Sequence, residues 1–228
     1  MSESLTRRPD VVIFDVNETL TDMEPLRTRF EEVGLPGELM ATWFAGVLRD
    51  GFALTAAGGY VEFAAIASDV LQGLLAGAKV DAGDEAISHV LSGFAALRVH
   101  PDVPDGMRML RNGGIRLLTM TNGAAAMTEQ ILAREGLLEL VEARLDVSGP
   151  RVWKPGRAAY DYAVERAGVR PDQAALVAVH PWDIDGAQRA GLIGAWLDRR
   201  GTPYPTVMSA PQLSAPDLKT LAARWLQA

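Results

Sequence analysis

Apolar and polar positions change their spacing several times along the chain, and each change marks an element. Val11-Val12-Ile13-Phe14 is a short continuous apolar run, the signature of a strand buried on both faces of a parallel sheet. From Met23 to Val33 the apolar residues fall at Met23, Leu26, Phe30 and Val33, which is close to helical spacing. Gly34 and Pro36 break that helix, Leu39 to Leu48 resumes the period, and Arg49-Asp50-Gly51 is expected to end it. Thr55 to Gly59 reads as a turn, Tyr60 to Leu75 as a third helix and Asp84 to Leu97 as a fourth. No strand pattern occurs between Leu20 and Arg98.

Beyond His100-Pro101-Asp102-Val103-Pro104 the pattern alternates. Pro104 suits the first residue of a helix that Asn112-Gly113-Gly114 stops. Strands are expected at Ile115–Met120, Leu145–Val147, Ala174–Val179 and Ile193–Leu197. Helices are expected at about Ala124–Arg134, Arg157–Ala167, Ile184–Ala190 and Asp217–Leu226. Pro203, Pro205, Pro211 and Pro216 mark a loop-rich stretch between the last strand and the last helix. Alternating strands and helices imply βαβ units, a parallel sheet and the α/β class.

Composition narrows the function. The chain has 228 residues, 48% of them hydrophobic, ample for a packed core. Its net charge of −7 gives no electrostatic footprint for nucleic acid, although an anionic substrate needs only a local basic group. With no Cys, disulfides, thiol nucleophiles and Cys-based metal sites are excluded. Met1 to Asp10 is polar and lacks the apolar core of a signal peptide, and no apolar run is long enough to span a bilayer. The expected location is cytoplasmic, with no membrane partner.

Candidate chemistry collects at strand ends, where open α/β sheets bind their ligands. Asp15 ends the first strand. A carboxylate there can be a metal ligand, a base or a nucleophile, or simply a solvated strand end. Thr121-Asn122 ends another strand; a hydroxyl and an amide beside a helix start can hold an anionic oxygen or cap the helix. Lys154 precedes Pro155, Tyr160 follows on a helix with Ala159 and Ala163, and His180-Pro181-Trp182-Asp183 closes a third strand. A loop Lys is commonly solvated, and Tyr160 also suits a core position. His180 could orient a water, act as a base near neutral pH or donate to a backbone carbonyl.

Phe14-Asp15-Val16-Asn17-Glu18-Thr19-Leu20 resembles motif I of the haloacid dehalogenase superfamily. In that superfamily the strand-end Asp is the nucleophile. Its phosphatases carry Asp-x-Asp-x-Thr and its dehalogenases Asp-x-Tyr-Gly-Thr. Thr121-Asn122 is similar to motif II, Trp153-Lys154-Pro155 to the Tyr-Lys-Pro of motif III, and Trp182-Asp183 to the Asn-Ala-Trp-Asp of the dehalogenases, with His180 in place of Asn. Asn17 and Val179 stand where phosphatases have acids for Mg²⁺, so the resemblance is closest to the L-2-haloacid dehalogenase (type II) branch.

The resemblance implies a Rossmann-like doubly wound core, residues 1–20 and 98–228, with an α-helical cap inserted after the first strand, residues 21–97. It implies hydrolytic dehalogenation of small 2-halo carboxylic acids through an aspartyl ester, without metal or cofactor. Asp15 would be the nucleophile, Lys154 would keep it ionised, and Asp183, with His180, would position water. Asn17, Thr19, Phe44, Thr121, Asn122, Tyr160 and Trp182 would meet the small anionic substrate. L-2-haloacid dehalogenases carry a cap Arg directly after a Trp, which receives the halide; here Trp43 is followed by Phe44. Phe44 is expected to line the pocket and leave it short of a halide donor, or to be cap core. A phosphatase of the same superfamily and a non-catalytic small-anion-binding protein are the alternative readings, and the resemblance allows a homodimer.

Overall fold

The computed structural model describes residues 7–80 and 83–227; the polar start at residues 1–6 lies outside them. Among the described residues, six strands form one parallel sheet in the order β3-β2-β1-β4-β5-β6. They are β1 (Val11–Phe14), β2 (Arg116–Thr121), β3 (Ala143–Asp146), β4 (Ala174–Ala178), β5 (Ile193–Leu197) and β6 (Leu213–Ala215). Every residue of β1, β4 and β5 is buried, which is why these strands read as unbroken apolar runs. The register sets Phe14 beside Thr119 on one flank and Val177 on the other. The chain therefore leaves β1 at the middle of the sheet, between strands that run outward to either edge.

Among the described residues, four helices intervene between β1 and the rest of the sheet: α1 (Leu26–Glu32), α2 (Leu39–Ala56), α3 (Phe63–Gly77) and α4 (Asp84–Ser92), the last continued by a 3₁₀ turn over Gly93–Ala96. At their centre Trp43 packs edge to face on Phe30 and at a tilt on Phe94, with ring centroids 5.6 and 5.9 Å apart. The remaining helices are α5 (Val103–Asn112), α6 (Ala125–Arg134), α7 (Arg157–Ala167), α8 (Pro181–Arg189) and α9 (Leu218–Gln227). α6 packs on β3, α8 on β4 and β5, and α5 on α9.

Several expected boundaries move. The second helix does not stop at Gly51 but continues to Ala56. Gly51 is buried, and a Cβ there would lie 2.4 Å from the Trp153 ring, so this glycine serves a close approach, not a helix stop. The third helix starts at Phe63, after Glu62, whose backbone is extended. α8 begins at Pro181, three residues earlier than its apolar pattern suggested, which puts Asp183 in its first turn. β6 has no counterpart in the sequence reading. It is only three residues long, lies between Pro211 and Pro216, and pairs on one side only, as suits an edge strand. No helix among the described residues is long and apolar enough to cross a membrane.

Candidate active site

Strand ends β1, β2 and β4 deliver the polar residues, and the loop before α7 adds one cation. Asp15 follows β1 and stays in its ladder through its N–H, which donates to the Val177 carbonyl at 3.0 Å. The residue is 4% exposed, and its carboxylate receives three donors. Lys154 Nζ donates to Oδ1 at 2.9 Å. Thr19 Oγ1 and His180 Nδ1 meet Oδ2 at 2.7 and 3.1 Å. Thr19 in turn accepts the Val179 N–H at 3.1 Å, tying the two strand ends together.

Lys154 is fully buried and sits between two carboxylates, Asp15 and Asp183, with its second contact at 2.6 Å to Asp183 Oδ2. The loop that carries it is fixed from both sides. Asn122 uses both ends of its amide on the Lys154 backbone, donating to the carbonyl at 3.1 Å and accepting the N–H at 2.9 Å. Trp153 donates its ring N–H to Val61 at 2.9 Å and its backbone N–H to Thr55 Oγ1 at 3.2 Å. The Lys154–Pro155 peptide is cis. Tyr160, 1% exposed, donates its hydroxyl to Asp183 Oδ1 at 2.6 Å.

These contacts separate the two carboxylates electrostatically. Burial alone would raise Asp15, but Lys154, His180 and Thr19 outweigh it and hold its carboxyl well below the usual range. Burial raises Asp183, the charge of Asp15 adds to that, and Lys154 only partly opposes it. A proton shared by this pair goes to Asp183 first, so Asp15 stays ionised. Burial would lower Lys154, yet Asp15 and Asp183 hold its pKa above the ordinary lysine value. Burial would also lower His180. Its hydrogen bonds to Asp15 and Glu18 override this and raise it to about 9. His180 is thus held as an imidazolium at neutral pH, which, of the roles its sequence position offered, leaves donation and orientation, not that of a free base.

A pocket of about 250 Å³ opens beside Val16 and Asn17, next after the Asp15 position. Thr121, Asn122 and Gly123 supply polar groups at one wall, and Phe63, Leu91, Phe94, Met127 and Ile131 make an apolar wall. Thr121 Oγ1 accepts the Gly123 N–H at 3.0 Å. A second, wider depression of about 630 Å³ lies across the motif I loop and is bordered by Glu18, His100, His180, Arg199 and Arg200.

The expected site residues therefore divide. Asp15, Lys154, Asp183, His180 and Thr19 form one hydrogen-bonded cluster. Asn17, Thr121 and Asn122 line the smaller pocket; Asp15, Lys154, Asp183 and His180 lie behind that lining, and Thr19, Phe44, Tyr160 and Trp182 are not part of it either. Thr19 and Tyr160 hold the two carboxylates instead. Trp182 stacks on the His180 ring, with centroids 5.1 Å apart at 27°. Phe44, 6% exposed, has its ring centroid 6.3 Å from that of the His180 imidazole and 6.5 Å from that of Phe63. Both rings belong to the surroundings of His180.

Glu18 was missed in the sequence. Its Oε2 lies 2.8 Å from His180 Nε2, and Arg200 meets its Oε1 at 2.9 Å. The signal was available inside motif I, where a Glu occupies the position that the dehalogenase form gives to Gly. Among the described residues, no group of three or more His, Asp or Glu is arranged to hold a metal.

Comparison with known proteins places this arrangement among relatives. Over 212 residues the chain is 23% identical to the haloacetate dehalogenase H-2 of Moraxella sp. (strain B), covering 92% of this chain and 95% of the other. It is 24% identical over 213 residues to the (S)-2-haloacid dehalogenase of Pseudomonas sp. (strain YL), covering 92% and 91%. The solved L-2-haloacid dehalogenase RSc1362 superposes with a TM-score of 0.90 at 27% identity, over 96% of this chain and 99% of that one. The model of the haloacid dehalogenase-like hydrolases matches residues 9–191. That match takes in the first strand, the inserted helices and the Lys154 and Asp183 segments, and the chain belongs to this hydrolase family.

Proposed function

We propose that this protein is a metal-independent hydrolase that releases halide from small 2-halo carboxylic acids through an ester on Asp15. The observation that carries the reading is a strand-end carboxylate kept anionic by a buried ammonium 2.9 Å away, followed directly in the chain by Val16 and Asn17, which line a small and mostly apolar pocket. An ionised carboxylate displaces halide from carbon, and covalent catalysis divides a hard hydrolysis into two easier steps. The apolar wall suits the halogen-bearing carbon, and Thr121 with the neighbouring backbone suits the substrate carboxylate. The names of the relatives support the same substrate class. The Lys154 ammonium bridges the carboxylates Asp15 and Asp183, and Asn17 and Val179 supply no acid beside them, which favours chemistry without a divalent cation.

Halide release from a panel of chloro-, bromo- and fluoro-carboxylates, with and without EDTA, tests this. The expected result is EDTA-insensitive turnover that Asp15→Asn abolishes while the melting temperature stays close to wild type. Turnover that disappears on chelation and returns with Mg²⁺ would move the protein to phosphatase chemistry. Near-normal release by freshly purified Asp15→Asn would exclude the covalent route.

A further inference from the structure

Two departures from the dehalogenase motifs touch each other. Glu18 stands where that form has Gly, and His180 stands where it has Asn. Glu18 holds φ at +61°, a left-handed backbone that favours glycine and is strained for a Glu. From there its carboxylate reaches His180 Nε2 at 2.8 Å, while Arg200 holds its second oxygen. His180 Nδ1 faces Asp15 Oδ2 at 3.1 Å. Both ring nitrogens face carboxylates, so both carry protons, and the Trp182 ring stacked at 5.1 Å suits a cationic imidazole.

We infer that His180, clamped by Glu18, joins Thr19 as the oxyanion hole for hydrolysis of the Asp15 ester, with Glu18 as its positioning residue. The assignment rests on the ester route proposed above. Its basis is the unequal loading of the two Asp15 oxygens. Oδ2 accepts from Thr19 and His180, which engages both of its lone pairs; among the described residues Oδ1 accepts from Lys154 alone. Oδ1 keeps a lone pair for attack on carbon, the carbon–halogen bond breaks, and halide leaves with its electron pair. Oδ2 is then the ester carbonyl oxygen.

Water next adds to Cγ, and the carbonyl π pair moves onto Oδ2. Two donors already stand at 2.7 and 3.1 Å from that atom, the geometry of a preorganised oxyanion site. Collapse breaks the Cγ–Oδ1 bond. Oδ1 departs as the product hydroxyl, and the water oxygen stays on Asp15. Asp183 takes one water proton and returns it to the departing oxygen; the other proton goes to solvent as Asp15 reionises. In the displacement step charge leaves Asp15, so the imidazolium gains importance only when charge returns to Oδ2.

Rapid-quench turnover of 2-chloropropionate, with intact-mass detection of the protein, tests the assignment on wild type, His180→Ala, Glu18→Gly and Glu18→Gln. For His180→Ala the expected result is one rapid equivalent of chloride, an accumulated ester, and a steady state slower by about a hundredfold, as for loss of one oxyanion donor. Glu18→Gly should show the same pattern to a smaller degree. Glu18→Gln keeps a side chain in place without its charge. It should hydrolyse the ester faster than Glu18→Gly and move the alkaline fall of that step to lower pH, which a merely structural role would not do. Melting temperatures confirm folding of each variant. Variants whose chloride burst slows in step with the steady state, without ester, would overturn the assignment, as would variants that turn over like wild type. A wild type that releases no halide from any 2-halo acid would overturn the ester reading itself, a distinguishable result.

Discussion

His180 shows how far one residue's chemistry depends on its neighbours. An exposed imidazole is mostly neutral at pH 7.5; here Asp15 and Glu18 face its two nitrogens, Arg200 lies behind Glu18, and Phe44 and Trp182 supply no charge. Its pKa rises from 6.5 to about 9. A basic group raised on folding contributes stability that is fully present below its unfolded value and is lost as pH rises through the folded one. The stability of wild type relative to His180→Asn should therefore be largest near pH 6 and shrink between 6.5 and about 9. The whole change is on the order of 3 kcal/mol. Asp15 has the opposite sign. Its lowered carboxyl contributes above 3.8 and loses that contribution as pH falls through its folded value, so it plays no part in the alkaline change. Urea unfolding of both proteins from pH 6 to 10 measures it, and a difference that stays flat over that range would contradict the doubly paired imidazolium.

At the scale of elements, legibility followed burial. β1, β4 and β5 are buried along their whole length, and their apolar runs located them within a residue or two. Arg157–Ala167 was legible because small and apolar residues recur on its inner face and Gly168 ends it with φ at +67°. Gly51 misled because a glycine that ends a helix and one that admits a neighbour's ring look alike in sequence. The distinction appears only when Trp153, about a hundred residues on, is brought against α2. This gives an element-scale prediction. In a free helix Gly→Ala gains up to about 1 kcal/mol. Here the new methyl would sit 2.4 Å from the Trp153 ring, and overpacking typically costs about 1–3 kcal/mol. Gly51→Ala should lower the melting temperature, and it should also lower turnover, since Trp153 carries the backbone next to Lys154. A variant more stable than wild type would show that the contact relaxes freely.

For the molecule as a whole, the question is how helices inserted after β1 serve a site built at the ends of β1, β2 and β4. Among the described residues they contribute no cation to the cluster. The positive charges near Asp15 come from Lys154, His180 and, through Glu18, Arg200, all from the segments around the sheet. Arg49 in α2 pairs with its neighbour Asp50 and is 73% exposed. What the inserted helices supply is apolar surface: Phe63 and Phe94 on the pocket wall, and Phe44 against the imidazole. The motifs made most of the cluster legible, because each is a short segment fixed at a strand end. The Glu18–His180 pairing was not legible, since it joins residues 162 apart and relies on a backbone conformation that a sequence pattern does not reveal. By motif alone, Phe44→Arg should restore a halide donor and raise chloride release at least tenfold. The packing reverses that expectation. A guanidinium in place of Phe44 would enter a site 6% exposed, with the His180 ring centred 6.3 Å away. Two unit charges about 6 Å apart at an effective dielectric near 20 repel by about 3 kcal/mol, enough to lower the imidazolium pKa toward neutrality and weaken its hold on Asp15 Oδ2. Phe44→Arg should therefore melt earlier and release chloride from 2-chloropropionate more slowly than wild type, with ester accumulating on the protein. Phe44→Leu, which keeps an apolar wall, should stay within a few-fold of wild type. Steady-state chloride release and intact mass on both variants decide it: a folded Phe44→Arg protein that turns over faster than wild type would make Phe44 the vacancy left by the cap Arg, and the apolar packing around His180 incidental.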